Sequence, residues 1–254
     1  MSIPRKIHYV WIGDQPLPSK DQFYIEGWKK LNPDFKIIRW SEKDVDTSKY
    51  PIINSAIQQK RYALASDVLR MIIIYQEGGI YLDTDIELLK SLEPLLKYDA
   101  FAGWEAKYWF TTAIFGARKH SSWIEKILKR YEAANPNEKI TTNTFLKTVH
   151  SPSVYAEDIY NIKLNGETQI CDDDQFAVFA PEYFCPKHYM TGEENITKNT
   201  IALHHYASTW HTRSEKVKNT LSRTAYKCLG EKGYQRTEKI FHDHLAKQIR
   251  RELP

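Results

Sequence analysis

Residues Tyr62–Leu89, YALASDVLRMIIIYQEGGIYLDTDIELL, decide how this chain is read. From Tyr62 to about Gln76 the segment is almost wholly apolar and long enough for a buried helix. Gly78-Gly79 closes the helix. Ile80 to Asp83 then reads as a short hydrophobic strand that ends in two aspartates, Asp83 and Asp85, one residue apart. An α/β sheet places its ligands beyond the carboxyl ends of its strands. Carboxylate oxygens are the hard ligands that Mg²⁺ and Mn²⁺ prefer, so the pair reads as a divalent-cation site. By itself D-x-D also occurs as a solvated turn; the strand and the glycines before it favour the metal reading.

Outward from this stretch, strands and helices alternate. Ile3–Gly13 (IPRKIHYVWIG) is apolar on both faces, which suits a central parallel strand. A helix carrying Phe23, Ile25 and Trp28 follows, then a strand over Phe35–Trp40, with Ser41 as the cap of a short helix. Beyond the central stretch, Ala100–Trp104 and Thr111–Gly116 are strand candidates, and Ser121–Ala134 is an amphipathic helix. Asn143–Val149 reads as a helix, and Ser151–Asp174 as loops around short strands. Ala177–Ala180 and Ile201–Tyr206 are short strands, and the chain is helical from about Thr212, interrupted near Gly230 and Gly233. The alternation predicts an α/β fold over residues 1–210 and a basic helical extension, 211–254, packed on or beside it.

Composition narrows the classes. With 42% hydrophobic and 27% charged residues, the 254-residue chain reads as a globular protein and not a disordered one. Its three cysteines fall in no paired or metal-binding spacing, no secretion signal opens it, and no apolar run reaches the ~18 residues of a membrane span. A reducing, cytoplasmic setting is therefore expected. From His211 onward, eleven Lys and Arg face five Asp and Glu. This basic tail reads either as a solvated helical face or as a peripheral contact with anionic lipid at the inner face of a membrane. No recognition motif accompanies the charge, so nucleic acid is not an expected partner.

Two further clusters bear chemistry. Asp67 and Arg70, three apart on the apolar helix, share a face. Charges in such surroundings must be paired or bound. They form either an internal ion pair, or a carboxylate for sugar hydroxyls beside a guanidinium for phosphate. His204-His205 lies at a strand end. Adjacent strand residues point to opposite faces, so at most one of the two is a ligand.

The blocks IPRKIHYVWIG, ALASDVLRMIIIYQEGGIYLDTDIELLKSL, APEYFCP and ALHHYASTW, in that order from Ile3 to Trp210, resemble the DXD-containing sugar-transferase family. That family groups bacterial capsule and lipopolysaccharide glycosyltransferases, fungal initiating mannosyltransferases and the catalytic domain of glucosylating toxins. The resemblance implies a GT-A fold, a Rossmann-like mixed sheet flanked by helices. It also implies a nucleotide-sugar donor, UDP-linked, a Mn²⁺ or Mg²⁺ ion on its diphosphate, and hexose transfer with retention of configuration to a glycan or lipid-linked glycan acceptor in capsule or lipopolysaccharide synthesis.

Carried over residue by residue, it places Trp11 against the uracil with Tyr9 and Val10 beside it. Asp67 would take donor hydroxyls and Arg70 phosphate or sugar oxygen; Tyr81 and Thr84 would line the donor pocket. Asp85 would be the direct metal ligand, with Asp83 facing the sugar and the metal through water. His205 falls at the late metal position, and Ser208 and Trp210 in a loop that closes over the leaving diphosphate. The choice among glucose, galactose and N-acetylglucosamine is expected from Gly103–Thr112 and from the loop around Asp172-Asp173-Asp174. Thr111–Gly116 lacks the asparagine that many relatives carry, which leaves contacts there open. The competing readings are transfer to a protein acceptor, a phosphohydrolase of the haloacid-dehalogenase type, and a non-catalytic nucleotide-sugar-binding protein.

Overall fold

The structure is a computed structural model and describes residues 2–134, 140–171, 175–207 and 213–252. Strand β1 (Lys6–Val10) lies between β2 (Lys36–Trp40) and β3 (Gly79–Leu82) and runs parallel to both. The central parallel position expected for the first strand is thus observed. Beyond β3 the sheet turns mixed. A hairpin of β5 (Ala100–Ala106) and β6 (Trp109–Ala117) attaches antiparallel to β3 through β6. β8 (Phe176–Phe179) then adds parallel to β5, and β7 (Gln169–Cys171) closes the edge. Among the described residues the order is β2-β1-β3-β6-β5-β8-β7, with a separate ribbon of β4 (Ile86–Leu88) and β9 (Ala202–His204).

Both faces of the sheet are covered, which is why its central strands are apolar throughout. On one face, helix α1 (Ser19–Leu31) packs Tyr24, Ile25 and Trp28 against Ile7, Ile80 and Leu82. Phe23, expected on that core, points outward and is 69% exposed. On the other face lie α2 (Pro51–Gln58), α3 (Tyr62–Glu77), α4 (Ser122–Glu132) and α5 (Thr142–Tyr160). α3 is buried continuously from Leu64 to Ile74, sandwiched between the sheet and the other helices.

Several expectations fail for local reasons. Ser41 caps no helix; its N–H and hydroxyl both donate to Asp44 Oδ2 in a turn. α2 went unread, although Ile52, Ile53 and Ala56 are buried. α5 continues through Pro152 to Tyr160, where loops were expected. Proline cannot donate to the carbonyl four residues earlier; that group, Thr148 C=O, accepts from the Tyr131 hydroxyl at 3.2 Å instead. The C-terminal helix α7 (Arg213–Arg251) is kinked once, at Gly230 (φ 65°), and not at Gly233. Its distal part buries Leu245, Ala246 and Ile249 in the cluster that holds Val154 and Tyr155.

The turn that aims the site is tight. Gly78 and Gly79 have φ of 62° and 114°, and a Cβ on Gly79 would lie 2.8 Å from both His8 Nε2 and Lys6 O. The space is filled by the His8 ring, which is fully buried, bonds Gly78 O through Nε2 at 2.9 Å and accepts from Trp40 Nε1–H through Nδ1. Burial lowers its pKa to about 4, against the bond to Gly78, which raises it. A histidine held neutral in this way adds stability that is complete above its unfolded pKa of about 6.5 and lost as pH falls toward 4. The window of about 2.5 units caps the effect at roughly 3 kcal/mol. Relative to His8→Gln, the wild-type chain should therefore lose a few kcal/mol of unfolding free energy between pH 7.5 and 4.5 in urea titrations; parallel pH profiles would refute this.

Candidate active site

Asp83 leaves the end of β3 with its N–H bonded to Ala113 O at 2.8 Å, and its carbonyl accepts from Ile86 N in the next turn. β4 then pairs with β9 in a register that sets Ile86 opposite His204. That pairing brings His204 Nε2 to 3.5 Å from Asp85 Oδ1, while the Ala207 amide donates to Asp85 Oδ2 at 2.8 Å. Asp83, Asp85 and His204 each offer a ligand atom within 4.8 Å of the others.

Arg70 of α3 reaches the same point from behind the sheet. Its Nη2 lies 3.1 Å from Asp67 Oδ1 and 3.1 Å from Asp83 Oδ1, and Nη1 donates to Thr112 O at 2.6 Å. Nε and Nη2 also bond the backbone and hydroxyl of Ser66. The guanidinium carbon sits 4.5 Å from the ring centre of Tyr81, whose hydroxyl donates to Asp83 Oδ1 at 2.8 Å. Side-chain exposure rises from 5% at Arg70 and 8% at Asp67 to 28% at Asp83, so Asp83 is the member that faces outward.

Burial separates the acids. It pushes Asp67 up to about 6 even beside Arg70, and it raises Asp83 and Glu105 as well. At Asp85 the burial effect is outweighed by His204 and by the Ala207 amide, which bring it down to about 2. His204 is correspondingly raised well above the usual imidazole range: burial opposes the shift, and Asp85 and the Cys185 thiol overcome it. A low-pKa carboxylate beside a raised one in a partly closed site is the pattern of a functional centre.

Residues 18–102, which include Asp67, Arg70, Asp83 and Asp85, match the family model described as a glycosyltransferase sugar-binding region containing a DXD motif. Over these residues the chain is similar to the DXD-containing sugar transferases. Inositol phosphoceramide mannosyltransferase 3 of Schizosaccharomyces pombe is 26% identical over 132 residues, covering 50% of this chain and 37% of that protein. Mannosyl phosphorylinositol ceramide synthase CSH1 of Saccharomyces cerevisiae is 22% identical over 241 residues, 89% of this chain and 58% of that protein. The chain thus spans between about a third and three-fifths of these two relatives. Among solved structures, the PaToxG glycosyltransferase superposes with a TM-score of 0.52 at 18% identity, over 62% of this chain and 70% of that one. The mixed sheet flanked by helices is accordingly the GT-A glycosyltransferase fold.

Within this sugar-transferase fold the expected site residues separate. Asp67, Arg70, Tyr81, Asp83 and Asp85 do converge. Asp67 and Arg70 are ion-paired to one another, and the pair is extended to Asp83. The histidine facing the aspartates is His204 and not His205, which was expected there. His205 points to the opposite face, where it bonds Glu87 at 2.8 Å and stacks on Tyr24 at 4.8 Å. Tyr9 packs edge-on against Trp28 in the α1-side core and Val10 sits in the α3-side core, so neither opens to a cleft. Trp11, just past β1, is buried and donates its indole N–H to Gln15 O. Thr84 does not line a pocket with its hydroxyl, which donates to the buried Asp21 at 2.6 Å. Ser208, Trp210 and Asp172–Asp174 lie outside the described residues.

Sequence reading missed Asp21, Cys185 and Glu105. Glu105, in the stretch expected to govern selectivity, lies close enough to Asp83 and His204 to feel both charges and bonds Thr111. No motif marks it; only the hairpin delivers it here.

Two carboxylates and one imidazole, neutral when it ligates, are a donor set for a divalent cation. His204 Nδ1 is buried without a hydrogen-bond partner, so the ring is not locked into one protein bond through each nitrogen. The residues fit a divalent cation. His204→Ala should raise the Mn²⁺ concentration needed for half-maximal turnover by roughly 10–100-fold, the range for loss of a metal-site contact. His205→Ala should leave it within about threefold, since that change removes only a part-exposed pair and a stack. Metal titrations of the two variants decide between the histidines, and the reverse ranking would refute the assignment.

Proposed function

We propose that the chain transfers a hexose from a nucleotide-sugar, UDP-linked, to a glycan or glycolipid acceptor with the help of a divalent cation. The observation that carries this reading is the Asp83–Asp85–His204 cluster at the end of β3, backed by the buried Arg70–Asp67 pair. A bound cation would neutralise and orient the donor diphosphate. Asp85, held at low pKa, would take it directly, and Asp83 would face the sugar between the metal site and Arg70. Arg70, fixed by Ser66, Thr112 and Tyr81, adds positive charge without having to reorganise. Retention of configuration follows the family resemblance.

The fungal relatives are named for mannosyl transfer and an inositol phosphoceramide, not for capsule or lipopolysaccharide, so the proposal stops at the acceptor class. The match over residues 18–102 supports a transferase over a phosphohydrolase. Among the described residues no helix is long and apolar enough to cross a membrane. Membrane contact through the tail has competition from the protein body, since Arg250 is spent on Glu157 and Asp158.

The test is nucleotide release from UDP- and GDP-hexoses with Mn²⁺, Mg²⁺ or EDTA. Release is expected with at least one donor, dependent on the metal and stopped by EDTA. A chain that binds UDP but releases none from any of these sugars would be a binding protein, and the transferase reading would fall.

A further inference from the structure

A cavity of about 820 Å³ opens at the tip of the β5–β6 hairpin. Four parts of the chain wall it: the tip of the β5–β6 hairpin, the turn at Asn165-Gly166, the segment from Pro181 to Asn195, and the face of α7 on either side of the Gly230 kink. Tyr189 of the cavity wall packs on Tyr206 at 5.2 Å, and Tyr206 packs on His204 at 4.0 Å, so one edge of the cavity lies two rings from the metal cluster. Its volume falls in the range of a site for a small ligand, roughly 300–1,000 Å³.

The lining has a definite chemistry. Trp109, Tyr189, Tyr226 and Tyr234 offer flat apolar faces with polar edges. Around them stand six glutamates, of which Glu231 and Glu238 come from α7, against the single cation Lys107. Lys187 compensates Glu194 at 3.3 Å, Asn199 donates to Glu182 at 2.7 Å, and burial raises Glu105 and brings Glu238 up to about 7; the wall stays acidic, with less charge than six carboxylates would give. No arginine lines it, so the planar fork that recognises phosphate or carboxylate is missing from this wall.

We infer that this cavity is the acceptor site, that α7 forms one of its walls, and that it takes an uncharged or amine-bearing carbohydrate while excluding acceptors with phosphate, sulfate or carboxylate groups. The inference rests on the transferase reading for its role and on the cavity for its selectivity. Aromatic faces cover the C–H surfaces of sugar rings, and carboxylates accept from hydroxyl and ammonium groups. An anionic acceptor would meet like charge on several sides, with Lys107 the one lysine or arginine of the lining to offset it.

Saturation-transfer NMR on the whole chain, with lactose, chitobiose bearing free amines and trehalose 6-phosphate as probes, tests the selectivity. Lactose and the diamine should bind, with the phosphorylated disaccharide weaker by about tenfold or more. In Glu231→Lys/Glu238→Lys, both on the α7 wall of the cavity, the diamine should lose about tenfold and the phosphorylated probe should approach it. Equal or tighter binding of the phosphorylated probe to the wild type, no binding of any probe, or a double variant with unchanged preferences would each overturn the inference. Metal-dependent donor hydrolysis, followed in the same samples, separates the two readings. Hydrolysis with the wrong probe preference refutes the cavity assignment alone; probe binding without hydrolysis refutes the transferase role.

Discussion

Asp85→Asn should lower metal-dependent nucleotide release by roughly 10²–10³-fold or more while the chain stays folded, the range seen when one group that stabilises developing charge is removed. Asparagine keeps the shape of aspartate, and its carbonyl oxygen can still accept from the Ala207 amide. What disappears is the negative charge between His204 and the cation site. Excess metal should restore little activity, because two of the three ligands remain but the strongest acid among them is gone. Asp83→Asn should differ. It breaks an acceptor for both Arg70 and Tyr81, so it should lower turnover at saturating metal more than it changes the metal requirement. Kinetics at varied Mn²⁺ separate the two effects. Full turnover in the Asp83→Asn/Asp85→Asn double variant would end the proposed role of the motif.

The second large effect is on stability. Arg70→Met should cost about 3–5 kcal/mol, the penalty for leaving one partner of a buried ion pair alone. Arg70 is 4% exposed and Asp67 6%, so water cannot replace the lost partner. Thr112 O and the Ser66 groups lose their donor as well. Against the total of about 5–15 kcal/mol typical of a domain, this is a large share. Two controls identify the cause. Asp67→Asn in the same background should recover part of the loss, a coupling that a double-mutant cycle measures. The deficit should also shrink below pH 6. Asp67 already titrates near 6 in the folded chain, above its ordinary 3.8, so protonation favours the folded state as pH falls. Without the guanidinium, its pKa should rise further and relief should begin at higher pH. An Arg70→Met melting temperature within two degrees of wild type, a shift of about 1 kcal/mol or less for this size of chain, would refute the account.

Local signals in the sequence were enough for the first three strands, α3 and the glycine turn, because each is a short run with its own periodicity and stop. The carboxylate pair at the strand end and the shared face of Asp67 and Arg70 were equally local. The histidine choice was not. Which of two neighbouring strand residues faces inward depends on the β4–β9 register, which joins residues 86 and 204. Glu105 reaches Asp83 and His204 only through the hairpin, and no spacing rule links them. Nor was the length of α5 local: it runs past Pro152, and the carbonyl left without that residue's donor is served by Tyr131 from another helix. Charge counting registered the basic tail but could not show that Arg250 pairs with Glu157 and Asp158 of α5.

The burial of Ile249 has a consequence for how the chain is made. It is fully enclosed in the same cluster as Val68 and Trp123, near the end of α7. Until that residue has emerged from the ribosome, the α3-side core lacks a plug, and Tyr155 and its neighbours face water. Synthesis from the N-terminus therefore delivers the metal-site strand, the arginine and both aspartates long before the interior that holds them is sealed. The growing chain must wait with an open flank, and a stall anywhere before residue 245 would present that flank to chaperones and proteases.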